Sequence, residues 1–267
     1  RIEIHGLWER FNIGWDLRPD VNILSGINGV GKTTISQHLI VGLRKKGYRV
    51  LAVDFDAQCD LTFIFNIENT YTIYDVIQNN ANINECIEND FLAGSRYLNN
   101  IDFNKQKHKD FLLKNALKNI IYNYDYIIID TPPALSDITV NALTASDEIL
   151  IIAQGDILSI KGISQLGESI SVIKTYTNKN LAIKGILLTR FANRTVLAKD
   201  VAEKLEELAS GLNTKLFKIK IRECNAIKEA QANQTNIYDY KKNSIAYNDF
   251  KNFIEEFLEE KDGENNE

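Results

Sequence analysis

Apolar residues recur along this chain in short, nearly unbroken runs separated by longer amphipathic stretches. Val21 to Leu24, Arg49 to Val53, Tyr126 to Ile129, Ile149 to Ala153 and Ile183 to Thr189 are all strand-sized. A strand that is apolar at consecutive positions buries both faces, so it belongs in a sheet covered on both sides. The stretch Thr33 to Lys46 reads as a helix, and helical patterns precede the last two strands. Strands alternating with helices predict a doubly wound α/β fold with a mostly parallel sheet. The start of the chain has a different period. Ile2 and Ile4, then Phe11, Ile13, Trp15 and Leu17, alternate with polar or small residues, which predicts a β-hairpin over residues 1–20 beside the strand at Val21. Asn79 to Gln106 is polar and Asn-rich and reads as a loop-and-helix excursion. Phe253, Ile254, Phe257 and Leu258 share one face of a last helix. With no internal repeat and no Pro/Gly/Ser linker, residues 1–258 are expected to form a single domain, with 259–267 an acidic flexible tail.

In such folds ligands bind beyond the C-terminal ends of the strands, and three of the predicted ends carry chemistry. After the first comes Gly26-Ile27-Asn28-Gly29-Val30-Gly31-Lys32-Thr33, which fits the phosphate-loop pattern GxxxxGK[ST] at every fixed position. Glycines there turn backbone N–H groups inward around phosphates, the lysine reaches the β- and γ-oxygens, and the hydroxyl takes a Mg²⁺ position. The helix that follows adds the positive end of its dipole. Gly26, Asn28, Gly29, Val30, Gly31, Lys32, Thr33 and Thr34 are therefore the expected nucleotide-binding residues of a P-loop NTPase fold. The second end is Asp54-Phe55-Asp56 and the third is Asp130, after Ile127-Ile128-Ile129. A carboxylate after such a strand supports the metal, usually through water, while one acid of a nearby pair can orient the attacking water.

Composition narrows the picture without redirecting it. The chain has 267 residues, 44% hydrophobic and 25% charged, with a formal net charge of −5, ordinary for a soluble globular protein. No apolar run approaches a bilayer span and no signal-peptide pattern opens the chain, so a cytoplasmic location without membrane association is expected. Cys59, Cys86 and Cys224 are far apart and form no CxxC pair, which argues against a disulfide framework or a zinc or iron–sulfur site. The absence of methionine and the start at Arg1 read as a sequence that is not a complete initiator-to-stop product.

Several segments taken together resemble one family. GVGKTT (29–34), KKGYRVLAVDFDAQCDLT (45–62), YDYIIIDTPPAL (124–135), VNALTASDEILI (140–151), GILLTRFANRT (185–195) and IKEAQ (227–231) are similar, in order, to the ParA/MinD family of deviant-Walker ATPases. The likeness is greatest to small Soj-like partitioning proteins and runs from about Val21 to Leu258. It implies a SIMIBI-type P-loop domain that dimerises on Mg–ATP, binds DNA non-specifically and is reset by slow hydrolysis to ADP and phosphate. A ParB-like centromere-binding protein would be the activator, and nucleoid association would follow from DNA binding. By this resemblance Lys32 and Asp56 are the catalytic residues, the latter positioning water, and Thr33, Asp54 and Asp130 serve the metal.

Two departures stand out. The family proline after the DxD motif is Ala57. The family loop begins KGG, with a lysine that reaches across the dimer to the partner's phosphates, where this chain has Ile27 and Asn28. Without that charge, slower hydrolysis is expected. Ile27-Asn28-Gly29 resembles the loop of ABC/RecF/SMC ATPases, but Thr131 stands where those proteins need a glutamate, and no LSGG-type signature occurs. For DNA, the late cations Arg190, Arg194, Lys199, Lys215, Lys218, Lys220, Arg222, Lys228, Lys241 and Lys242 are the candidates, since phosphate contacts need only clustered positive charge. Interspersed glutamates leave open a ParA-like ATPase that positions a protein cargo or regulates a conjugation or secretion apparatus. The Glu-rich face of the last helix argues against anionic lipid.

Overall fold

The computed structural model describes residues 2–3, 14–15, 20–26, 31–191 and 196–263. Its strands are β1 (Ile2–Glu3), β2 (Gly14–Trp15), β3 (Asp20–Gly26), β4 (Val50–Asp54), β5 (Ile87–Glu88), β6 (Phe91–Leu92), β7 (Tyr126–Asp130), β8 (Glu148–Gln154), β9 (Ala182–Phe191) and β10 (Ile221–Arg222). β1 and β2 pair antiparallel, with Ile2 opposite Trp15, as the period-two pattern predicts. The rest form one eight-stranded sheet in the order β10-β9-β8-β3-β7-β4-β6-β5. Every step is parallel except β5 on β6.

The apolar runs are buried on both sides, and residue parity decides which side. Leu51, Val53, Ile127, Ile129, Ile149 and Ile151 join one core layer, with Ala142 and Leu143 of helix Asp137–Ala145 and Ile163, Ile170 and Ile173 of helix Ile157–Tyr176. Val50, Ala52, Tyr126, Ile128, Leu150 and Ile152 join the other. There they meet Ile35, Leu39, Ile40 and Leu43 of helix Lys32–Lys45, and Phe250, Phe253, Ile254 and Phe257 of helix Ile245–Gly263. These two helices approach closely at Gly42, where an added Cβ would stand 2.6 Å from Ile254 Cγ1 and 2.7 Å from the Tyr238 hydroxyl.

Two expectations need correction. The excursion Asn79 to Gln106 also contributes β5 and β6, and β6 adds to the sheet beside β4 with Val53 opposite Leu92. Strands of two residues are too short to carry a readable period. Residues 259–263 of the expected tail continue helix Ile245–Gly263. Its aromatic face packs on the core, while Glu256 accepts from the Lys218 and Ile219 N–H groups and Glu255 pairs with Lys46. Among the described residues, no helix is long and apolar enough to cross a membrane.

Candidate functional site

Strand register assembles the site. Leu24 of β3 and Asp54 of β4 both stand opposite Asp130 of β7, so β4 and β7 end level. The phosphate-loop strand ends two residues further on, at Gly26. Ile27, Asn28, Gly29 and Val30 lie outside the described residues. Gly31 follows with φ 89° and ψ 31°, in the left-handed region, as N-cap of helix Lys32–Lys45. That conformation, accessible to glycine without a Cβ penalty, swings the chain from loop into helix. The first helical bond runs from Ile35 N–H to Gly31 O. The N–H groups of the preceding turn therefore have no partner inside the helix, the geometry that suits an anion.

The Lys32 side chain is 8% exposed. Burial draws its ammonium down to about 8, while Asp130 and Asp56 pull in the opposite direction. Asp130 is buried and accepts a hydrogen bond from Ser36 Oγ at 2.7 Å. Burial pushes its carboxyl up to about 7 and the charge of Asp54 adds to this, whereas Ser36, Thr33 and Lys32 hold it down. Lysine, hydroxyl and carboxylate are thus brought together as the phosphate-loop pattern predicts.

Asp54 has a different part. Its Oδ2 accepts from Thr62 N–H at 2.8 Å and Thr62 Oγ1 at 2.7 Å, and its Oδ1 from Asp56 N–H at 3.2 Å. The Thr62 hydroxyl in turn accepts from Gly94 N–H at 2.8 Å, and a Cβ at Gly94 would stand 2.8 Å from Asp54 Cγ. Burial raises the Asp54 carboxyl to about 6, against those donors. Of the two parts expected of this acid pair, supporting the metal or fixing the loop, these bonds serve the second: Asp54 holds the loop that carries Asp56. Asp56 itself is half-buried, and its Oδ1 accepts from Gln58 N–H at 3.0 Å.

The donor set tests the fit of a metal. No group of three or more His, Cys, Asp or Glu among the described residues is arranged to hold an ion. Mg²⁺ is normally bound by one or two protein oxygens plus substrate phosphates and water. The Thr33 hydroxyl, hydrogen-bonded to the Asp130 carboxylate, fits that mode and not an all-protein cage.

A cleft lies at the helix start, lined by Gly31, Thr34, Thr189, Arg190, Arg222 and Gln231 among others. Sequence reasoning missed the contacts that build it. Gln231 Nε2 donates to Thr34 Oγ1 at 2.8 Å, and Gln37 Nε2 to Thr235 O at 3.1 Å. The His38 ring lies 2.7 Å from Thr34 O at Nδ1 and accepts from Ile237 N–H at Nε2, 3.1 Å. No short-range pattern announces pairs so far apart in the chain.

The late cations are unequally free. Arg222 is ion-paired with Asp249 and Lys228 with Glu223. Lys215 and Lys220 lie over the rings of Phe217 and Phe191, at 4.6 and 4.3 Å. Arg190, Lys218, Lys241 and Lys242 are exposed. Arg194 and the side chain of Lys199 lie outside the described residues.

Comparison with known proteins agrees with this geometry. The AAA domain family matches residues 22–183. The Bacillus subtilis sporulation initiation inhibitor protein Soj is 36% identical over 194 residues, 67% of this chain and 75% of that protein. The chromosome partitioning protein ParA of Myxococcus xanthus is 36% identical over 191 residues, 66% of each. A Borrelia burgdorferi plasmid partition protein crystallised with AMPPNP superposes with a TM-score of 0.73 at 26% identity, covering 91% of this chain and 99% of that one. A Mycobacterium smegmatis cobyrinic acid a,c-diamide synthase with bound ATP analogue and magnesium has the same fold. Its TM-score is 0.77 at 23% identity, covering 89% and 93%.

Proposed function

From the premise that this chain belongs to the ParA/MinD-type P-loop ATPases, we propose that it is an ATP-dependent switch for partitioning DNA. Mg–ATP occupies the cradle from Gly26 to Thr34, with Lys32 on the phosphates. When bound, the metal supplies a Lewis acid beside the γ-phosphate, held by Thr33 and backed by Asp130. Asp56 orients the attacking water, and Asp54 holds the Asp56 loop in place through Thr62. The observation that carries this reading is the meeting of Lys32, Thr33 and Asp130 at one level of the sheet edge, with Asp56 in electrostatic reach of the lysine.

Two copies would close over the nucleotide at that edge. Leu135, Ile157 and Leu158, which follow the ends of β7 and β8, are 57%, 65% and 72% exposed, and these apolar side chains are ones that a partner would cover. The dimer would then bind duplex DNA without sequence preference through Arg190, Lys218, Lys220 and their neighbours. A ParB-like protein would stimulate hydrolysis and release, and the protein would sit on the nucleoid while ATP is bound. The internal pairing of Arg222 and Lys228 favours a second reading, in which the same switch positions a protein cargo or regulates a conjugation or secretion apparatus without touching DNA.

Molecular mass measured with ADP, ATP and a slowly hydrolysed analogue, with and without random duplex DNA, tests both. The DNA switch predicts a doubling of mass with ATP or analogue and salt-sensitive DNA binding that is weak with ADP. Doubling without DNA binding at low salt selects the cargo reading. A monomer in every nucleotide state overturns the ATP-driven dimer.

A further inference from the structure

Two polar groups of Thr34 lead to one distant segment, the hydroxyl directly and the carbonyl through His38 of its own helix. Its hydroxyl oxygen accepts from Gln231 Nε2 at 2.8 Å, and Gln231 is half-buried. Its carbonyl faces His38 Nδ1 at 2.7 Å, while His38 Nε2 accepts from Ile237 N–H. With Nε2 an acceptor, the ring proton is assigned to Nδ1, which donates to Thr34 O. Gln234 Nε2 extends the same segment to Phe63 O at 3.1 Å, in the helix Asp60–Ile64 that follows the Asp56 loop.

A hydroxyl has one hydrogen to donate and two lone pairs. An amide N–H spends one lone pair and repels the hydroxyl hydrogen, which must then point away from Gln231. Gly31, Thr34 and Gln231 line the same cleft at the helix N-terminus, where an oxyanion is the natural acceptor. We infer that Gln231 is a positioning residue for nucleotide binding, its amide turning the Thr34 hydroxyl into a donor for a phosphate oxygen. This rests on the reading that a polyphosphate occupies the cradle before Lys32. A carboxylate at 231 would reverse the polarity, accepting the Thr34 proton and adding negative charge beside the phosphate.

The test is a double-mutant cycle, read as the affinity of the Mg-bound, slowly hydrolysed ATP analogue for the full chain by calorimetric titration. Gln231→Ala should weaken binding about five- to tenfold, the size of one lost hydrogen bond. The isosteric Gln231→Glu should weaken it further. In a Thr34→Val background, where the hydroxyl is gone and the shape kept, Gln231→Ala should cost nothing more. Unchanged affinity in Gln231→Ala, or an equal loss with and without the Thr34 hydroxyl, would overturn the inference while leaving the nucleotide site standing. Failure of the unsubstituted chain to bind the analogue would bring down the nucleotide reading itself, and the inference with it. Should Gln231→Ala not fold, Gln231→Asn, one methylene too short to reach, takes its place in the cycle.

Discussion

Lys32 and Asp56 lie within electrostatic reach of one another but should fail differently when removed. The lysine's charge is balanced by Asp130 and Asp56, and on the proposed reading it meets the phosphates, so Lys32→Ala should weaken ATP binding by an order of magnitude or more. Asp56, half-buried, is proposed to orient the attacking water without holding the nucleotide. Asp56→Ala should leave ATP affinity within a few-fold and lower turnover roughly a hundredfold or more, the usual worth of a positioned base. Equilibrium titration paired with single-turnover hydrolysis separates these outcomes, and equal loss of binding in both variants would refute the division. Three residues on, Cys59 has φ 57°, and its N–H donates to Asp56 O at 3.0 Å. A side chain in that left-handed region costs about 1–2 kcal/mol. Cys59→Gly should therefore raise stability by about 1 kcal/mol, less the greater freedom glycine gives the unfolded chain, seen as a higher urea midpoint at unchanged slope. Residues whose chemistry depends on close spacing, Gly31 to Thr33 and Asp54 to Asp56, were legible in sequence. Ser36 and Thr62 were not, since a serine in a helix or a threonine after a loop has no meaning until the sheet places Asp130 and Asp54 against it.

At the scale of elements, helix Lys32–Lys45 carries the phosphate site at one end and packs along helix Ile245–Gly263. Gly42 sets how closely they pack. Gly42→Ala would place a methyl within 2.6 Å of Ile254 and 2.7 Å of Tyr238, and such overpacking costs about 1–3 kcal/mol, measurable as a lower denaturation midpoint. His38 is the polar plug of the same interface, fully buried and stacked on Phe250 with ring centroids 4.1 Å apart. Burial lowers its imidazole to about 4 from 6.5, against the hydrogen bond to Thr34. Since the folded pKa is the lower one, the unfolded chain takes up the proton first. The stability His38 contributes is whole above pH 6.5 and is lost as pH falls toward 4. Asp54 and Asp130 titrate in the opposite sense, their raised carboxyls favouring the fold at lower pH. The difference between the unsubstituted chain and His38→Asn isolates the imidazole. That gap should narrow by roughly 2–3 kcal/mol between pH 7.5 and 4.5, and a gap constant with pH would show that His38 is not held neutral. The long strands and helices of this framework were readable because burial on both faces leaves continuous apolar runs. β6 and β10, at two residues each, owe their place to neighbouring strands and leave no such trace.

For the whole molecule, the question is how the proposed two-copy switch would manage without the lysine of the loop it resembles. Ile27 occupies that position, and an aliphatic side chain can neither pair with a phosphate across a dimer nor stabilise the charge that builds as the γ-phosphoryl group transfers. Fixed positive charge at such a point is worth several kcal/mol in a site shielded from water. Ile27→Lys should therefore raise the intrinsic turnover at least tenfold, and the rise should grow with protein concentration up to the dimerisation midpoint, because the new charge acts on the partner's nucleotide. Lys32→Ala in the same background should abolish the gain, since each copy must first bind its own ATP. If turnover does not change, or rises equally in dilute monomer, the missing charge is already supplied within one chain or by an activating partner. Isolated protein would then be slow for lack of that partner, and adding a lysine to the loop would change little until the partner is present.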